Sequence, residues 1–276
     1  MTKTEILQAV SFPVAMRDVF FDNSGKDQRD YEPIPNRKAV VRTDTHQALS
    51  IVSNDYKLLP YREMTEPVLE ILDKNNAVLP QRTSGIRRDP IRVEAMGRRI
   101  WLETTFKGHE VKIGKDVIQP RLVYGNSYDG TLAYRAITGF YQVICTNAGA
   151  LLKSGLVPGM GQMNISRKHK GRGENLPFNH LEDHLKMFLD NFGLMSQSLA
   201  SLANTTVPLE KAKEIYMQYV GQRQSDKKPL EPKDQESAWS FYARITNYLT
   251  LDFRGGQAIF EKRAEQALVD IIQEAK

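Results

Sequence analysis

Over 91–95 and again over 98–106 apolar residues recur at every second position, and from Phe178 onward at every third or fourth. The first spacing belongs to strands with one buried face, the second to amphipathic helices. The switch falls at Pro177 and separates a region that has to pair strands from one that packs helices. It predicts an α+β fold. A twisted antiparallel β-sheet core with a packed helix is expected over 1–175, and an α-helical C-terminal region over 176–276.

Within that frame, KAVVRTD (38–44) and ALSIVS (48–53) read as a hairpin. Tyr61 to Leu72, preceded by Pro60, places Met64, Val68, Ile71 and Leu72 on one helical face. Ile91 and Val93 alternate with Arg92 and Glu94 up to Gly97, and RRIWLETTF (98–106) alternates again. EVKI (110–113) and VIQPRLVY (117–124) flank a Gly-Lys-Asp turn, and TLAYRAIT (131–138) supplies a further strand. Pro120 has no N–H to give a ladder, so its strand is expected at an edge or bulged. Asn147 to Asn175 is glycine-rich and reads as a mobile basic loop. Beyond it, Leu181, Leu185, Phe188, Leu189, Phe192, Met195, Leu199 and Leu202 form an apolar stripe, a candidate contact surface between subunits. Helices beginning near Pro208, Glu236 and Gln257 complete the chain.

Charge is unevenly placed. The 276 residues hold 38 Lys and Arg against 33 Asp and Glu, a net +5. Residues 1–80 carry −2 and residues 174–276 carry −3, so the block 81–173 carries +10. Such asymmetry is expected where one surface meets a polyanion, although solvated sheet faces also collect Lys and Arg. Alternation over 98–106 turns Ile100, Leu102, Thr104 and Phe106 inward and Arg99, Trp101, Glu103, Thr105 and Lys107 outward. An outward Trp101 among cations is a platform on which bases stack, unless the C-terminal helices cover it as core. Tyr128 is a second candidate ring. Arg87, Arg88, Arg98, Arg121 and Arg135, with Arg92, Lys112 and Lys115 on the same strands and turns, are candidate phosphate contacts. Arg167, Lys168, Lys170 and Arg172 extend that set along the loop.

Catalytic patterns are poor. Cys145 is the single cysteine, ends an apolar run and lacks a neighbouring His, which reads as a buried thiol in a reducing cytoplasm. His180 and His184 have metal-ligand spacing, but Leu181 stands where a zinc protease needs Glu. GLVPGMGQM (155–163) lacks the Gly-Lys-Ser/Thr ending of a phosphate loop. No catalytic residue, metal or cofactor is therefore expected. No apolar run is long enough for a signal peptide or membrane span, so no membrane partner is expected either.

IVSNDYKLLPY (51–61), NSYDG (126–130) with Arg135 after it, VICTNAG (143–149), the basic-His run at 167–170 and SAWSFYARITNYL (237–249) follow one another in this order. Together, from about residue 38 to 270, they resemble the phage- and plasmid-borne family called domain of unknown function 932. The resemblance implies a bacterial or phage protein working in host cytoplasm and names no catalytic residue. The order of a helix, a basic twisted sheet and then helices is also similar to that of phage single-strand annealing proteins. The function expected on these grounds is a non-enzymatic single-stranded DNA binding and annealing protein, a homo-oligomer acting in recombination or replication. One alternative is a protein-interaction or anti-defence factor whose basic face docks an acidic host protein. Another is a metal-dependent nucleic-acid processing enzyme in which Asp129, Glu103 and Asp116 converge.

Overall fold

A capping box starts the first helix, α1 (Lys3–Val10): the Thr2 hydroxyl accepts from the Glu5 N–H at 3.2 Å, and the Glu5 carboxylate accepts from the Thr2 N–H at 2.7 Å. Ile6 and Val10 are buried on its inner face. The structure is a computed structural model that describes residues 1–22, 31–79, 90–142, 164–167, 169, 178–221, 232–252 and 257–275. Strands β1 (Val14–Asp22), β2 (Tyr31–Arg42) and β3 (Gln47–Ser53) form an antiparallel sheet in that order. Met16, Val40 and Ser50 are cross-strand neighbours, as are Arg17, Ala39 and Ile51. Val40 is fully buried whereas Ile51 is 60% exposed, so one face packs and the other meets solvent. The hairpin expected at 38–53 is the inner part of this sheet. Its extension back to Tyr31 passes Pro33, Pro35 and Asn36 at φ 59°, beside a break in register opposite Asp18 and Phe20. Residues that cannot sustain a regular ladder hide a strand from a reading based on alternation.

Helix α2 (Tyr61–Lys74) begins after Pro60 and buries Tyr61, Met64, Val68, Leu69, Ile71 and Leu72. The second sheet has seven strands among the described residues: β4 (Ala77–Val78), β5 (Ile91–Glu94), β6 (Arg99–Phe106), β7 (Val111–Ile113), β8 (Asp116–Ser127), β9 (Tyr134–Gln142) and β10 (Asn164–Arg167). Their order is β10-β9-β8-β6-β4, with β5 paired to β6 and β7 paired to β8. Strand β8 is thus interior, which removes the edge, one of the two placements expected for Pro120. Pro120 is buried just past the stretch Asp116 to Ile118 that pairs with β7, so its missing N–H falls where that short ladder has ended. Strand β10 occupies part of the segment read as a loop. Apart from β10 and His169, that segment lies outside the described residues. On β6 the alternation holds at Ile100, Leu102, Thr104 and Phe106, all buried, and fails at Glu103, which is buried too.

Two compact units are present. The first comprises Met1–Thr104, Val123–Ala136 and Ile165–Glu182; the second comprises Thr105–Leu122, Ile137–Asn164 and Asp183–Lys276. Strands β6, β8 and β9 supply residues to each unit. Helix α3 (Phe178–Ser201) buries Leu181, Leu185, Phe188, Leu189, Phe192 and Leu199. The apolar stripe is therefore consumed inside the chain and is not a free subunit contact. In the second unit, α4 (Leu209–Tyr216) runs into a π-helical turn at Met217–Gly221, and α5 (Ala238–Asp252) and α6 (Gln257–Glu274) follow. The start of α5 is pinned by the Trp239 indole N–H donating to Asp116 Oδ2 at 2.8 Å and by the Ala238 N–H donating to the Thr205 carbonyl at 2.8 Å. No helix among the described residues is long and apolar enough to cross a membrane.

Between β5 and β6 the backbone turns left-handed, ending at Gly97 with φ 104°. A Cβ at Gly97 would stand 2.9 Å from a carbon of the Phe12 ring. Gly97→Ala is expected to destabilise the protein by about 2–4 kcal/mol through strain and overpacking together. Gly108→Ala, at φ 85° but with open space around it, should cost only about 1 kcal/mol. Midpoints of denaturant unfolding compare the two, and equal losses would refute the packing role of Gly97.

Candidate functional site

Three of the segments that carry the family resemblance meet at one place in the first unit. Tyr56 and Tyr61 come from the stretch after β3, Ser127, Tyr128 and Asp129 from the end of β8, and His169 from the basic run. The Tyr61 and Tyr128 rings stack with centroids 3.7 Å apart at 16°, and the Phe12 ring stands edge-on to both. The backbone then ties the rings down. The Tyr61 N–H donates to the Tyr128 hydroxyl at 2.7 Å, and the Tyr61 hydroxyl donates to the Arg98 carbonyl at 2.6 Å. That same carbonyl accepts the Tyr128 N–H at 2.7 Å. Beside this pair the Tyr56 hydroxyl donates to the Ser127 carbonyl at 2.9 Å, and the Tyr56 ring lies 5.0 Å from the His169 ring at 24°. His169 Nε2 is 3.3 Å from the Leu132 carbonyl, and the Lys57 N–H donates to the His169 carbonyl at 2.9 Å.

The electrostatics of this cluster follow from burial. Desolvation pushes the Tyr56, Tyr61 and Tyr128 hydroxyls well above the ordinary phenol range, so they act as neutral hydrogen-bonding groups. Burial also opposes ionisation of Asp129. It is outweighed by hydrogen bonds from the Thr131 hydroxyl and N–H, by Ser127 and by Arg99, which hold the carboxyl below its usual range. Arg99 Nε sits 3.3 Å from Asp129 Oδ2 and donates to the Thr131 hydroxyl at 2.9 Å. Burial lowers the His169 pKa, against the raising effect of the Leu132 and Lys57 backbone and of Asp129.

The residues expected to bind nucleic acid are distributed differently. Tyr128 is 1% exposed and Arg121 is fully buried, so neither can touch a solvent-borne strand; both are removed from the set. Trp101 is half-buried. Its ring lies against Gly125, whose Cβ would be 2.8 Å from ring carbons, and the Arg135 guanidinium stands 4.9 Å from the ring centre. Its indole N–H donates to Glu94 Oε2 at 3.1 Å. Trp101 is therefore engaged by its own chain instead of standing open as a platform. Arg98 and Arg99 are half-buried, and Lys107, Lys112 and Lys115 are exposed. Arg87, Arg88, Lys168, Lys170, Arg172 and Cys145 lie outside the described residues, and of Arg167 only the backbone is described. The carboxylates proposed to converge have separate duties: Asp129 serves Arg99 and Thr131, and Asp116 serves Trp239. Among the described residues no group of three or more His, Cys, Asp or Glu could hold a metal ion.

The profile of the family described as Domain of unknown function (DUF932) matches residues 48–268, and the chain belongs to that family. No curated protein and no solved structure matches it.

Because the Tyr128 hydroxyl is the acceptor for a buried N–H, Tyr128→Phe leaves that donor unsatisfied and should cost about 1–3 kcal/mol. Tyr61→Phe leaves the Arg98 carbonyl still bonded to the Tyr128 N–H and should cost about 1 kcal/mol or less. Urea unfolding of the two variants measures the difference; the reverse order would contradict the assignment of donor and acceptor.

Proposed function

We propose that this member of the family binds single-stranded nucleic acid, DNA by preference, through its phosphates, and that it brings complementary strands together without catalysing a covalent step. The observation that carries the reading is the confinement of charge: the block 81–173 holds +10 while its flanks hold −2 and −3. Phosphate contacts of this kind are independent of base sequence and release condensed counterions. Lys107, Lys112 and Lys115 are exposed on β7 and the turns around it, where a flexible backbone can lie across several of them. Glu110, between them, is occupied with the Gly108 N–H and the Gln119 amide, which lowers its capacity to neutralise them. Arg99 is a weaker participant, since Asp129 already balances its charge.

Stacking is a smaller part of this reading than the sequence alone implies. Trp101 already has Arg135 over its ring, so base stacking there requires displacement of a cation–π contact worth about 0.5–2 kcal/mol. Electrostatics is left as the main source of affinity, and the same logic favours exposed base edges, as annealing needs. Origin in phages or plasmids, work in recombination or replication in a host cytoplasm, and assembly into a homo-oligomer belong to this proposal as well.

Binding of a fluorescent thymidine oligonucleotide is expected to weaken steeply with salt, and log K against log salt should be linear. Replacing Lys112 and Lys115 together by Glu should lower the magnitude of that slope by about 0.7 for each phosphate no longer neutralised. The same protein should speed the pairing of two complementary labelled strands. Absence of binding at low salt, or affinity indifferent to salt, would sink the proposal.

A further inference from the structure

Among the described side chains three aromatic rings stand exposed, and all three lie on the ribbon made by β1 and β2: Phe20 at 54%, Phe21 at 58% and Tyr31 at 52%. The register brings them together. Phe20 is opposite Pro33, Phe21 opposite Glu32 and Asp22 opposite Tyr31. Directly opposite residues share a face, as do alternate residues of one strand, so Phe20 and Tyr31 are diagonal neighbours on one face and Phe21 stands on the other. Diagonal neighbours are about 7–8 Å apart, within reach of aromatic side chains. Strand β3 pairs with β2 only from Arg37 onward, so this stretch of the sheet is two strands wide. Rings exposed this far bury little for the fold, and exposed apolar side chains that are grouped, unlike scattered ones, mark a binding surface.

The charge beside the rings selects the partner. Asp18 is matched by Lys38, Arg42 by Asp44, and Asp22 is engaged within the chain. Arg17 and Arg37 are exposed and form no ion pair among the described residues. Arg17 is opposite Ala39 and Arg37 lies two residues before Ala39 on β2, so both stand with Ile51 on the solvent face of the sheet. Glu32 is the acid left over, and the uncommitted charge on β1 and β2 is therefore net positive. Open rings with spare cations fit a single-stranded nucleic acid, whose bases stack while its phosphates meet the charges.

We propose that the β1–β2 ribbon is a base-stacking surface: Phe20 and Tyr31, with Phe21 on the reverse face, hold unpaired bases, Arg17 and Arg37 meet the backbone beside them, and the ribbon supplies a preference for single strands. This rests on the nucleic-acid reading above. Single and double strands both offer phosphates, so contacts of the lysine kind discriminate little between them. A ring discriminates, because a base in a duplex must first be unstacked and unpaired to lie on it. Stacking occupies the faces of a base and leaves its edges free, as annealing requires. It also places on β1 and β2 the contribution that neither buried Tyr128 nor Trp101, with Arg135 over its ring, can readily make.

Binding of the full chain to a thymidine oligonucleotide, to an abasic oligonucleotide of the same length and to a duplex tests this. The double variant Phe20→Ala with Tyr31→Ala is expected to bind the thymidine strand about tenfold or more weakly at fixed salt, since each stacked base contributes a factor of about five or more. Its salt slope, and its affinity for the abasic strand and the duplex, should match wild type, because the phosphate contacts are kept. Phe20→Trp with Tyr31→Trp should preserve binding and add a fluorescence that the thymidine strand quenches and the abasic strand does not; it carries the test if the alanine variant melts. Arg17→Glu with Arg37→Glu should lower the magnitude of the salt slope by about 0.7 for each phosphate no longer neutralised. Unchanged thymidine affinity in the alanine variant, or wild-type binding of the abasic strand as tight as of the thymidine strand, overturns the ribbon and leaves the electrostatic reading standing. Thymidine binding that is lost with the rings yet indifferent to salt supports the ribbon and overturns the electrostatic reading alone. Ring substitutions that dissociate an oligomer in light scattering while thymidine affinity holds overturn the proposal in favour of a second copy as the occupant.

Discussion

The first unit is organised around the stacked Tyr61 and Tyr128 rings. Each residue has a structural duty at the backbone as well as at the ring: Tyr61 begins α2, and Tyr128 leaves β8 for the turn that leads to β9. A 3.7 Å stack alone would add about 0.5–1.5 kcal/mol to the area it buries and would tolerate sliding. The N–H of one residue bonded to the hydroxyl of the other removes that freedom, and the shared Arg98 carbonyl fixes both against the turn between β5 and β6. Phe12 closes the cluster with its edge contacts, and the Arg42 guanidinium lies 4.3 Å from its ring centre while held by Asp44. Remove the Tyr128 hydroxyl, and the buried Tyr61 N–H bears the full cost of desolvation; remove the Tyr61 hydroxyl, and the Arg98 carbonyl keeps the Tyr128 N–H.

That arrangement explains why so many polar residues lie in the interior. Raised phenol pKa values and an Asp129 kept ionised by Thr131, Ser127 and Arg99 give a network whose members are neutral or already paired. The same interior pairing reduces the charge available outside. Of the central cations, Arg121 is buried, Arg99 is matched by Asp129 and Arg135 is spread over Trp101, so +10 by composition overstates what a polyanion could meet. Among the described residues the exposed share sits on Lys107, Lys112 and Lys115.

Much of the architecture is legible in the order of residues, because α2, the strands from β5 to β9 and the C-terminal helices carry clean periods and ordinary turn residues. The exceptions have physical causes. Helix α1 is only eight residues long and rests on a capping box that needs no apolar stripe, and β2 runs through two prolines and a left-handed Asn36. Alternation also says which face a residue occupies but not whether that face is covered, which is why Tyr128, Arg121 and Glu103 read as outward or reachable. For Trp101 the decisive neighbour is Gly125, whose bare backbone lets the ring lie down on the sheet, and no periodicity announces that pairing.

The site itself is readable only in pieces. IVSNDYKLLPY and NSYDG can be recognised as motifs, yet nothing in either shows that Tyr56 would bond to Ser127 or that Tyr61 would lean on Tyr128 across a separation of 67 residues. His169 is the clearest case. In a run of Lys and Arg it looks like one more solvated side chain, since charge runs are normally solvated. Its burial is decided by groups that arrive from elsewhere in the chain: the Leu132 carbonyl, the Lys57 N–H and the Tyr56 ring. An aromatic side chain kept uncharged by burial is what fits among these groups. Lys or Arg at that position would bring a full charge into the cluster that Asp129, already bonded to Arg99 and Thr131, has little capacity left to balance.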